Sequence, residues 1–565
     1  MGNVSSAASG QDIWVAGLNH GAHDSTAALL RNGEVVVIVE QERISRRKRA
    51  IDEPPVDALR VCLEHAGRKL EDLDAIALGS DMDRLAAWMG LTPEERSSVL
   101  PYDDPERLFP RDVFGDISHP PVIPIRHHLA HAASTFWPSG FEEAAILVMD
   151  NRGEDTATTL LRGGLGGMET IKAYGIEHSL GLWYRIATQY AGLYSKDGTA
   201  GKLMGLASYG RSGQSVALRH GPAGPRWDGV PAATRTGRAM PPERTRQLLD
   251  YFAQNCFPYT VGVSEETMAY ADFAASVQQA LEQTILGLCQ ELHDVTGLSS
   301  LALAGGVALN CTANGRIAAE SPFDEIFVQP MSHDGGVALG AALEATRELR
   351  PELFRRQTMR HAYWGPGFTD EEVAAALDER GLSASALTTQ ELAGRTAALL
   401  ARGGVVGWCQ GRGEVGPRAL GARSLLGDPR KREHLVRINT LKGREVWRPL
   451  APSVLQERYD DYFIGTPNPF MIVAAQVRPE VRAAVPAVVH VDGSARPQIV
   501  DADNAPRYAA LLRAFERETG LPMVINTSLN SAGLPIANTP GEAVDMCRAM
   551  GADAVAVGSY LVTLG

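Results

Sequence analysis

IWVAGLNHGAHDSTAALL, residues 13–30, and AAILVMDNRGEDTATTLL, residues 144–161, share one plan. Each opens with an apolar run, Ile13–Asn19 or Ala144–Met149, that reads as a buried strand. Each then breaks into a polar turn, His20–Asp24 or Asp150–Asp155 around Gly153, and resumes as strand over Ser25–Leu30 or Thr156–Leu161. After the first unit, Asn32-Gly33 precedes Val35–Val39 and signals a hairpin, because both residue types accept the positive φ of a two-residue turn. Two strand–turn–strand units about 130 residues apart point to an internal duplication.

Working outward, Leu301–Ala304 reads as a short strand running into Gly305-Gly306 and a helix from Val307. Paired glycines let main-chain amides approach a ligand at a helix N-terminus. The plan resembles the acetate kinase/sugar kinase/Hsp70/actin (ASKHA) superfamily, whose two ribonuclease-H-like halves each aim a turn at nucleotide phosphates; Gly305 and Gly306 then become an adenosine-contact loop. Residues 100–124 and 208–245 lack apolar periodicity and read as surface insertions, candidate lids. The segment 350–368 is read as a domain boundary. Beyond it, helices over 371–382 and 389–401 and a strand over 405–408 predict a second α/β unit.

Composition agrees. At about 150 residues per domain, 565 residues exceed one compact core. A hydrophobic content of 44% with 21% charged residues is that of a globular chain. The net charge of −13 argues against a general nucleic-acid or anionic-membrane binder. Six scattered cysteines without a C-x-x-C pair fit a reducing cytoplasm rather than a disulfide or zinc scaffold. No apolar run approaches the roughly 20 residues of a membrane span. Met-Gly-Asn-Val-Ser-Ser at the start formally fits N-myristoylation at Gly2, and the plainer reading is a frayed leader.

Four constellations carry chemistry. His127 and His131, at i and i+4 of a helix, share a face and can hold one metal, with His128 turned about 100° away; no glutamate stands between the pair to serve as the base of a zinc protease. Asp150 and Asp334 end or follow strands, where carboxylates face the ligand crevice of α/β sheets; Asp334 is equally placed to cap a helix. Two imidazoles with one or two carboxylates suit Fe(II), Mn or Zn. In the first turn, His23-Asp24 offers a base for a substrate hydroxyl or a turn-stabilising pair. From Arg412 to Arg448, ten Lys/Arg stand against four Asp/Glu among interleaved glycines, a local +6. Arginines on such turns grip oxyanions bidentately, and aromatics are too sparse for a nucleic-acid platform. Arg496-Pro-Gln498 and Asn526-Thr-Ser528-Leu-Asn530 complete that pocket. Arg43–Arg49, five basic residues in seven, reads in part as a solvated edge from which Lys48 reaches a phosphate.

HHLAHAAS (127–134), VMDNRGE (148–154), GKLMGLASYG (201–210), LAGGVALN (303–310), SHDGGVALGAA (332–342), GRGEVGPRALGARSLL (411–426), KGREVWRPLAPS (442–453) and INTSLN (525–530) together resemble the NodU/CmcH-type O-carbamoyltransferases. The resemblance implies an α/β protein with an N-terminal ASKHA domain (duplicated ribonuclease-H-like, actin/Hsp70-like) over residues 1–350 and a C-terminal YrdC-like α/β domain over 360–565. It implies ATP and carbamoyl phosphate as substrates, a carbamoyl-adenylate, and transfer to a small-molecule alcohol, a hydroxyl of an antibiotic or its sugar. By motif position it assigns a divalent metal, usually Fe(II), to His127, His131, Asp150 and Asp334. It makes His23, beside Asp24, the base. Lys48, Lys202, Gly305, Gly306 and Asn310 fall on the nucleotide side. Arg418, Arg423, Lys442, Arg448, Arg496, Asn526 and Ser528 hold carbamoyl phosphate. Two departures from an aminoglycoside-modifying member, a shorter turn Asn19–His23 and Tyr194-Ser-Lys196-Asp197 before GKLMG, are assigned to acceptor contact.

The rival readings are a tRNA threonylcarbamoylation enzyme, which an acidic chain disfavours, and a hydrogenase-maturation carbamoyltransferase, whose paired-cysteine fingers and acylphosphatase leader are not seen. A non-catalytic nucleotide-binding regulator would need neither the histidine pair nor the arginines. A cytoplasmic enzyme, with a homodimer left open and neither nucleic acid nor membrane as partner, is the expectation.

Overall fold

The computed structural model describes residues 12–116, 118–194, 200–230, 242–256 and 266–564. Strands β1 (Trp14–Asn19), β2 (Thr26–Arg31), β3 (Glu34–Glu40), β4 (Ala75–Leu78) and β5 (Val122–Pro124) form one sheet in the order β3-β2-β1-β4-β5. β1–β2 and β2–β3 are antiparallel, whereas β1–β4 and β4–β5 are parallel. Strands β6 (Ala144–Met149), β7 (Thr156–Gly164), β8 (Gly167–Gly175), β9 (Ser300–Ala304) and β10 (Glu325–Val328) repeat this order and these directions in a second sheet, β10-β9-β6-β7-β8. The duplication read from the two turns is thus a duplication of whole ribonuclease-H-like sheets, the ASKHA architecture. The predicted hairpin is present: Asn32 (φ 55°) and Gly33 (φ 86°) supply its two left-handed residues.

Of the helices α1 (His127–Ser139), α2 (Leu180–Tyr190), α3 (Ala271–Thr296), α4 (Cys311–Glu320) and α5 (Gly335–Leu349), α1 and α5 lie between the sheets as the central pair. The approach is very close. A Cβ on Gly340 of α5 would stand 1.7 Å from the Ala130 carbonyl of α1, and a Cβ on Gly17 of β1 would stand 1.9 Å from the Ala338 carbonyl of α5. Every residue of β6 is buried, and β1 is buried beyond Trp14, which is why both read as continuous apolar runs rather than alternating ones.

The C-terminal unit is the expected YrdC-like α/β domain, with a mixed seven-stranded sheet. Its strands are β11 (Val406–Cys409), β12 (Arg423–Gly427), β13 (Ala451–Leu455), β14 (Gln498–Val500), β15 (Met523–Ser528), β16 (Ala554–Val557) and β17 (Tyr560–Thr563), in the order β14-β13-β15-β12-β11-β16-β17. It has its own apolar core, from Val373 to Val562.

Several expectations are corrected. The chain after Gly305-Gly306 forms a short 3-10 turn, Gly306–Leu309, and α4 starts only at Cys311, because the Asn310 side chain caps it by accepting from the Ala313 amide at 3.1 Å. Within the segment 350–368, Met359, Ala362 and Trp364 are buried in the N-terminal core, and Trp364 O accepts from Ile38 N at 2.9 Å. The segment covers the edge strand β3, whose main chain would otherwise be unpaired. Within 100–124, Leu108 and Phe109 are buried, so that insertion is anchored. Gly2, Lys196, Asp197 and part of 208–245 lie outside the described residues.

The basic run 43–49 is corrected as well. Arg43 donates to Gly416 O at 2.9 Å, and Arg46 to Ile536 O at 2.8 Å and Pro535 O at 3.0 Å while pairing with Glu542 at 3.2 Å. These arginines fasten the C-terminal unit to the N-terminal domain. In return, Arg412 donates to Val36 O at 2.7 Å.

The α1–α5 contact gives a paired prediction. Gly340→Ala forces a Cβ onto backbone, and overpacking of this kind costs about 1–3 kcal/mol or more. Gly394→Ala, on an open helix face with nothing within 4 Å, is expected to be neutral or to stabilise by roughly 0.5–1 kcal/mol. Thermal unfolding of the two variants should move in opposite directions; equal shifts would contradict the packing described.

Candidate functional site

Helix α1 begins at His127, so His127 and His131 project from its first turns toward the end of β6, where Asp150 stands, and toward Asp334 at the start of α5. One donor atom from each of the four residues lies within 4.8 Å of the others. His127 Nε2 is 3.7 Å from Asp150 Oδ2 and 3.7 Å from Asp334 Oδ1, and His131 Nε2 is 3.7 Å from the same Asp334 oxygen. The ambiguity over Asp334 is resolved by its hydrogen bonds: it occupies the N-cap position of α5 but caps nothing. Its carboxylate is free for the centre.

Supporting groups orient the donors. His127 Nδ1 lies 3.1 Å from the Gly79 carbonyl, which leaves Nε2 aimed at the carboxylates. A carbonyl behind a ligating imidazole fixes its tautomer in this way. Glu154 holds the start of α1 by accepting from His127 N at 2.8 Å and Asp81 N at 2.9 Å. Gly306 N donates to Asp150 Oδ1 at 3.0 Å, so this glycine steadies a carboxylate of the centre. Gly305 (φ 89°) allows the approach, since a Cβ there would meet Met149 O at 2.2 Å. His128 is structural, as its direction on the helix implied: Nδ1 meets Thr159 Oγ1 at 2.7 Å, and burial pushes its pKa down to about 3.

The donor set fits a divalent cation. The buried nitrogens His127 Nε2, His131 Nδ1 and His131 Nε2 have no hydrogen-bond partner, a costly arrangement unless something binds there. Burial and Asp334 push the Asp150 carboxyl up, yet the flanking histidines outweigh both and hold it at about 2. For Asp334 too, burial is outweighed by His127 and His131, and its pKa lies well below the usual range. Both carboxylates are therefore present as anions.

Beside this centre, His23 Nδ1 is 3.0 Å from Asp24 Oδ2 and 3.5 Å from Asp334 Oδ2. Burial works against protonation of His23, but Asp24 and Asp334 raise its pKa above the ordinary value. Asp24, in the left-handed region (φ 57°), is held by Arg49 through Nε at 3.2 Å and Nη2 at 3.0 Å. The imidazole is thus oriented by a carboxylate that is itself fixed. Arg49 escaped the sequence reading because its partner is 25 residues away.

The structure sorts the remaining candidates. Lys48 pairs with Glu42 at 2.9 Å. Lys202 pairs with Glu445 at 2.7 Å and so sits against the arginine cluster rather than beside Gly305. Asn310 is taken up in capping α4 and in exchanging hydrogen bonds with Gln278 at 3.0 Å. Arg423 is 1% exposed and donates to the carbonyls of Gln410, Gly411, Ala422 and Asn538, so it frames the loop 411–422. Lys442 is spent on the 528–530 turn, donating to Ser528 O, to Asn530 O at 2.6 Å and to Asn530 Oδ1 at 3.0 Å.

What remains open is a group of guanidiniums. Burial, then Arg496 and Arg448, push the Arg418 pKa down to about 9; burial, Arg448 and Arg496 do the same to Arg444. Arg418 Nε and Arg496 Nε are buried without acceptors. Arg418 also feels Cys311, the first residue of α4, so the cluster faces the N-terminal domain. One residue from Arg418, Ala419 O accepts from Asn526 Nδ2 at 3.1 Å, and Asn526 Oδ1 is left as a buried acceptor with no donor. Crowded cations with one free amide oxygen call for a ligand carrying both an anion and an N–H group. Arg444 was missing from the sequence list, although it lies in the same KGREVWR run.

Two family models, described as the carbamoyltransferase N-terminus and the carbamoyltransferase C-terminus, match residues 15–95 with 111–343 and residues 397–563. An uncharacterized protein of Synechocystis sp. is 37% identical over 94% of this chain and 93% of its own length. Nodulation protein NolNO of Sinorhizobium fredii is 36% identical over 96% of this chain and 79% of its own. Among solved structures, full-length HypF in its phosphate- and nucleotide-bound form is 14% identical, covering 61% of this chain and 56% of its own, with a TM-score of 0.37.

The donor geometry predicts that His127→Ala and Asp334→Ala each lose bound divalent metal, measured by elemental analysis of protein loaded and then dialysed. His128→Gln is expected to keep it. Stoichiometric metal in both of the first two variants would exclude this centre.

Proposed function

The chain belongs to the carbamoyltransferase family, and from that membership we propose that it is an ATP-dependent O-carbamoyltransferase acting on a hydroxyl of a secondary metabolite, an antibiotic or its sugar. The observation that carries the reading is the presence together of two buried guanidinium nitrogens without acceptors, Arg418 Nε and Arg496 Nε, and the unpartnered acceptor Asn526 Oδ1. Carbamoyl phosphate presents phosphate oxygens to the first and an amide N–H to the second. Arg448 and Arg444 add charge; Lys442, Ser528 and Arg423 shape the walls.

The phosphate is lost with water to leave carbamate, whose oxygen attacks the α-phosphorus of ATP and expels pyrophosphate. The acceptor hydroxyl then attacks the carbamoyl carbon of the adenylate; its proton passes to His23 and AMP leaves. Asp24 keeps the His23 ring oriented and favours the charged form that results. His127, His131, Asp150 and Asp334 would hold a divalent ion, which we take as ferrous and which would supply Lewis-acid stabilisation of phosphoryl oxygens. Carbamate is unstable in water, so burial of both centres shields the reactive species. No helix among the described residues is long and apolar enough to cross a membrane, and we place the enzyme in the cytoplasm.

The test is AMP and pyrophosphate release from ATP that depends on added carbamoyl phosphate, with Fe(II) present. Absence of carbamoyl-phosphate-dependent AMP, with and without candidate alcohols, overturns the reading. Arg418→Ala and Arg448→Ala are expected to raise the KM for carbamoyl phosphate on the order of tenfold to a hundredfold, as for loss of a charged hydrogen bond.

A further inference from the structure

Arg152 sits two residues beyond Asp150 on the turn after β6, and its amide donates to Asp150 Oδ2 at 3.2 Å. Helix α2 presses on this turn: a Cβ on Gly181 would lie 2.8 Å from Asn151 N, and the Ser179 cap donates to Asn151 O at 2.7 Å. The turn is therefore rigid, and the direction of its side chains is set. Residues 101–103 are fixed by buried His20, whose Nδ1 lies 2.8 Å from Tyr102 O with the two rings edge to face at 5.1 Å.

The Arg152 side chain is half-buried. Among the described residues, no carboxylate or carbonyl pairs with its guanidinium. Tyr102, Asp150, Asp334 and Arg185 are the ionisable groups that act on it. Arg49, the other cation near the centre, is by contrast fully engaged by Asp24. An enclosed guanidinium without a partner is costly, and a second arginine beside it adds repulsion. Such an arrangement is relieved by an anion with several acceptor oxygens.

We propose that Arg152, with Tyr102 and Arg185 beside it, is the phosphate-gripping element of the His127–Asp334 centre and that its ligand is the phosphate of a nucleoside monophosphate. This rests on the reading above, in which AMP is the leaving group: Arg152 holds two nonbridging oxygens of that phosphate and offsets the charge that develops as the carbamoyl–oxygen bond breaks. The Tyr102 hydroxyl donates a further hydrogen bond. Arg152 is a binding residue for the donor and does not exchange protons with it.

The experiment uses full-length protein loaded with Mn(II), titrated with AMP and, separately, with inorganic phosphate. Binding is followed by equilibrium dialysis and by the EPR spectrum of the bound Mn(II). The wild type is expected to bind AMP. Arg152→Ala should weaken AMP binding on the order of tenfold to a hundredfold, with Arg152→Lys recovering part and exposed Arg185→Ala losing less. Every variant should keep stoichiometric Mn(II). If both probes weaken together in Arg152→Ala, the phosphate chemistry stands and the nucleoside adds no contact. Unchanged AMP binding in a metal-loaded Arg152→Ala protein overturns the proposal, as does an effect on inorganic phosphate alone. Carbamoyl-phosphate-dependent AMP formation, assayed in parallel on the wild type, reports separately on the earlier reading, because AMP binding does not require it.

Discussion

Two carboxylates, Asp150 and Asp334, converge in a largely dry pocket, and much of the N-terminal domain follows from what that requires. Like charges at short range in a poorly solvated site cannot both stay ionised without compensating positive charge. Here His127 Nε2 and both ring nitrogens of His131 are buried without a hydrogen-bond partner beside the carboxylates, a donor set that fits a cation. The positions follow from the duplication. Asp150 ends the first strand of the second half, the histidines open the helix that leads into that half, and Asp334 opens the helix that leads back.

The second centre uses the opposite solution. Arg418, Arg444, Arg448 and Arg496 crowd together with few acceptors, Glu445 at 3.7 Å from Arg448 and Asn439 at 2.6 Å from Arg444 among them, and the surrounding loop is itself fixed. Glu414 does much of this fixing, since one carboxylate oxygen accepts from the amides of Leu420, Ala422 and Arg423 at 2.7–3.2 Å. That loop also presses on the N-terminal domain, where a Cβ on Gly416 (φ 93°) would stand 2.8 Å from Pro330 O, four residues before Asp334. The anion-demanding centre and the cation-demanding one are thus joined through a short rigid stretch.

How much of this was legible depended on the range of the interaction concerned. Repeated strand–turn–strand patterns and the i, i+4 histidines are local, and the structure reproduces them closely. Whether Asp334 caps a helix or faces the centre is decided by where α1 lies, which no local pattern carries. The basic run 43–49 was misread for the same reason: Arg43 and Arg46 find their partners at 416, 535, 536 and 542, so the stretch looks unpaired in sequence. Arg418 and Arg423 belong to one motif and look interchangeable; only the backbone carbonyls around Arg423 separate a framing arginine from an open one. For Asn310, placed on the nucleotide side by its motif, sequence likewise does not show that its side-chain hydrogen bonds go to a helix cap and to Gln278.

The backbone contact at Gly340 and Ala130 sets the mechanics of the N-terminal domain. Any rotation of one half against the other has to pivot about this contact, because there the two central helices have no side chain between them to yield. Displacement in a rotation grows with distance from the pivot. His127 and His131 lie within a turn of Ala130, and Asp334 lies less than two turns from Gly340. His127, His131 and Asp334 therefore sit on a short lever arm: a rotation that displaces outer strands and surface loops leaves the spacing of these three side chains nearly constant.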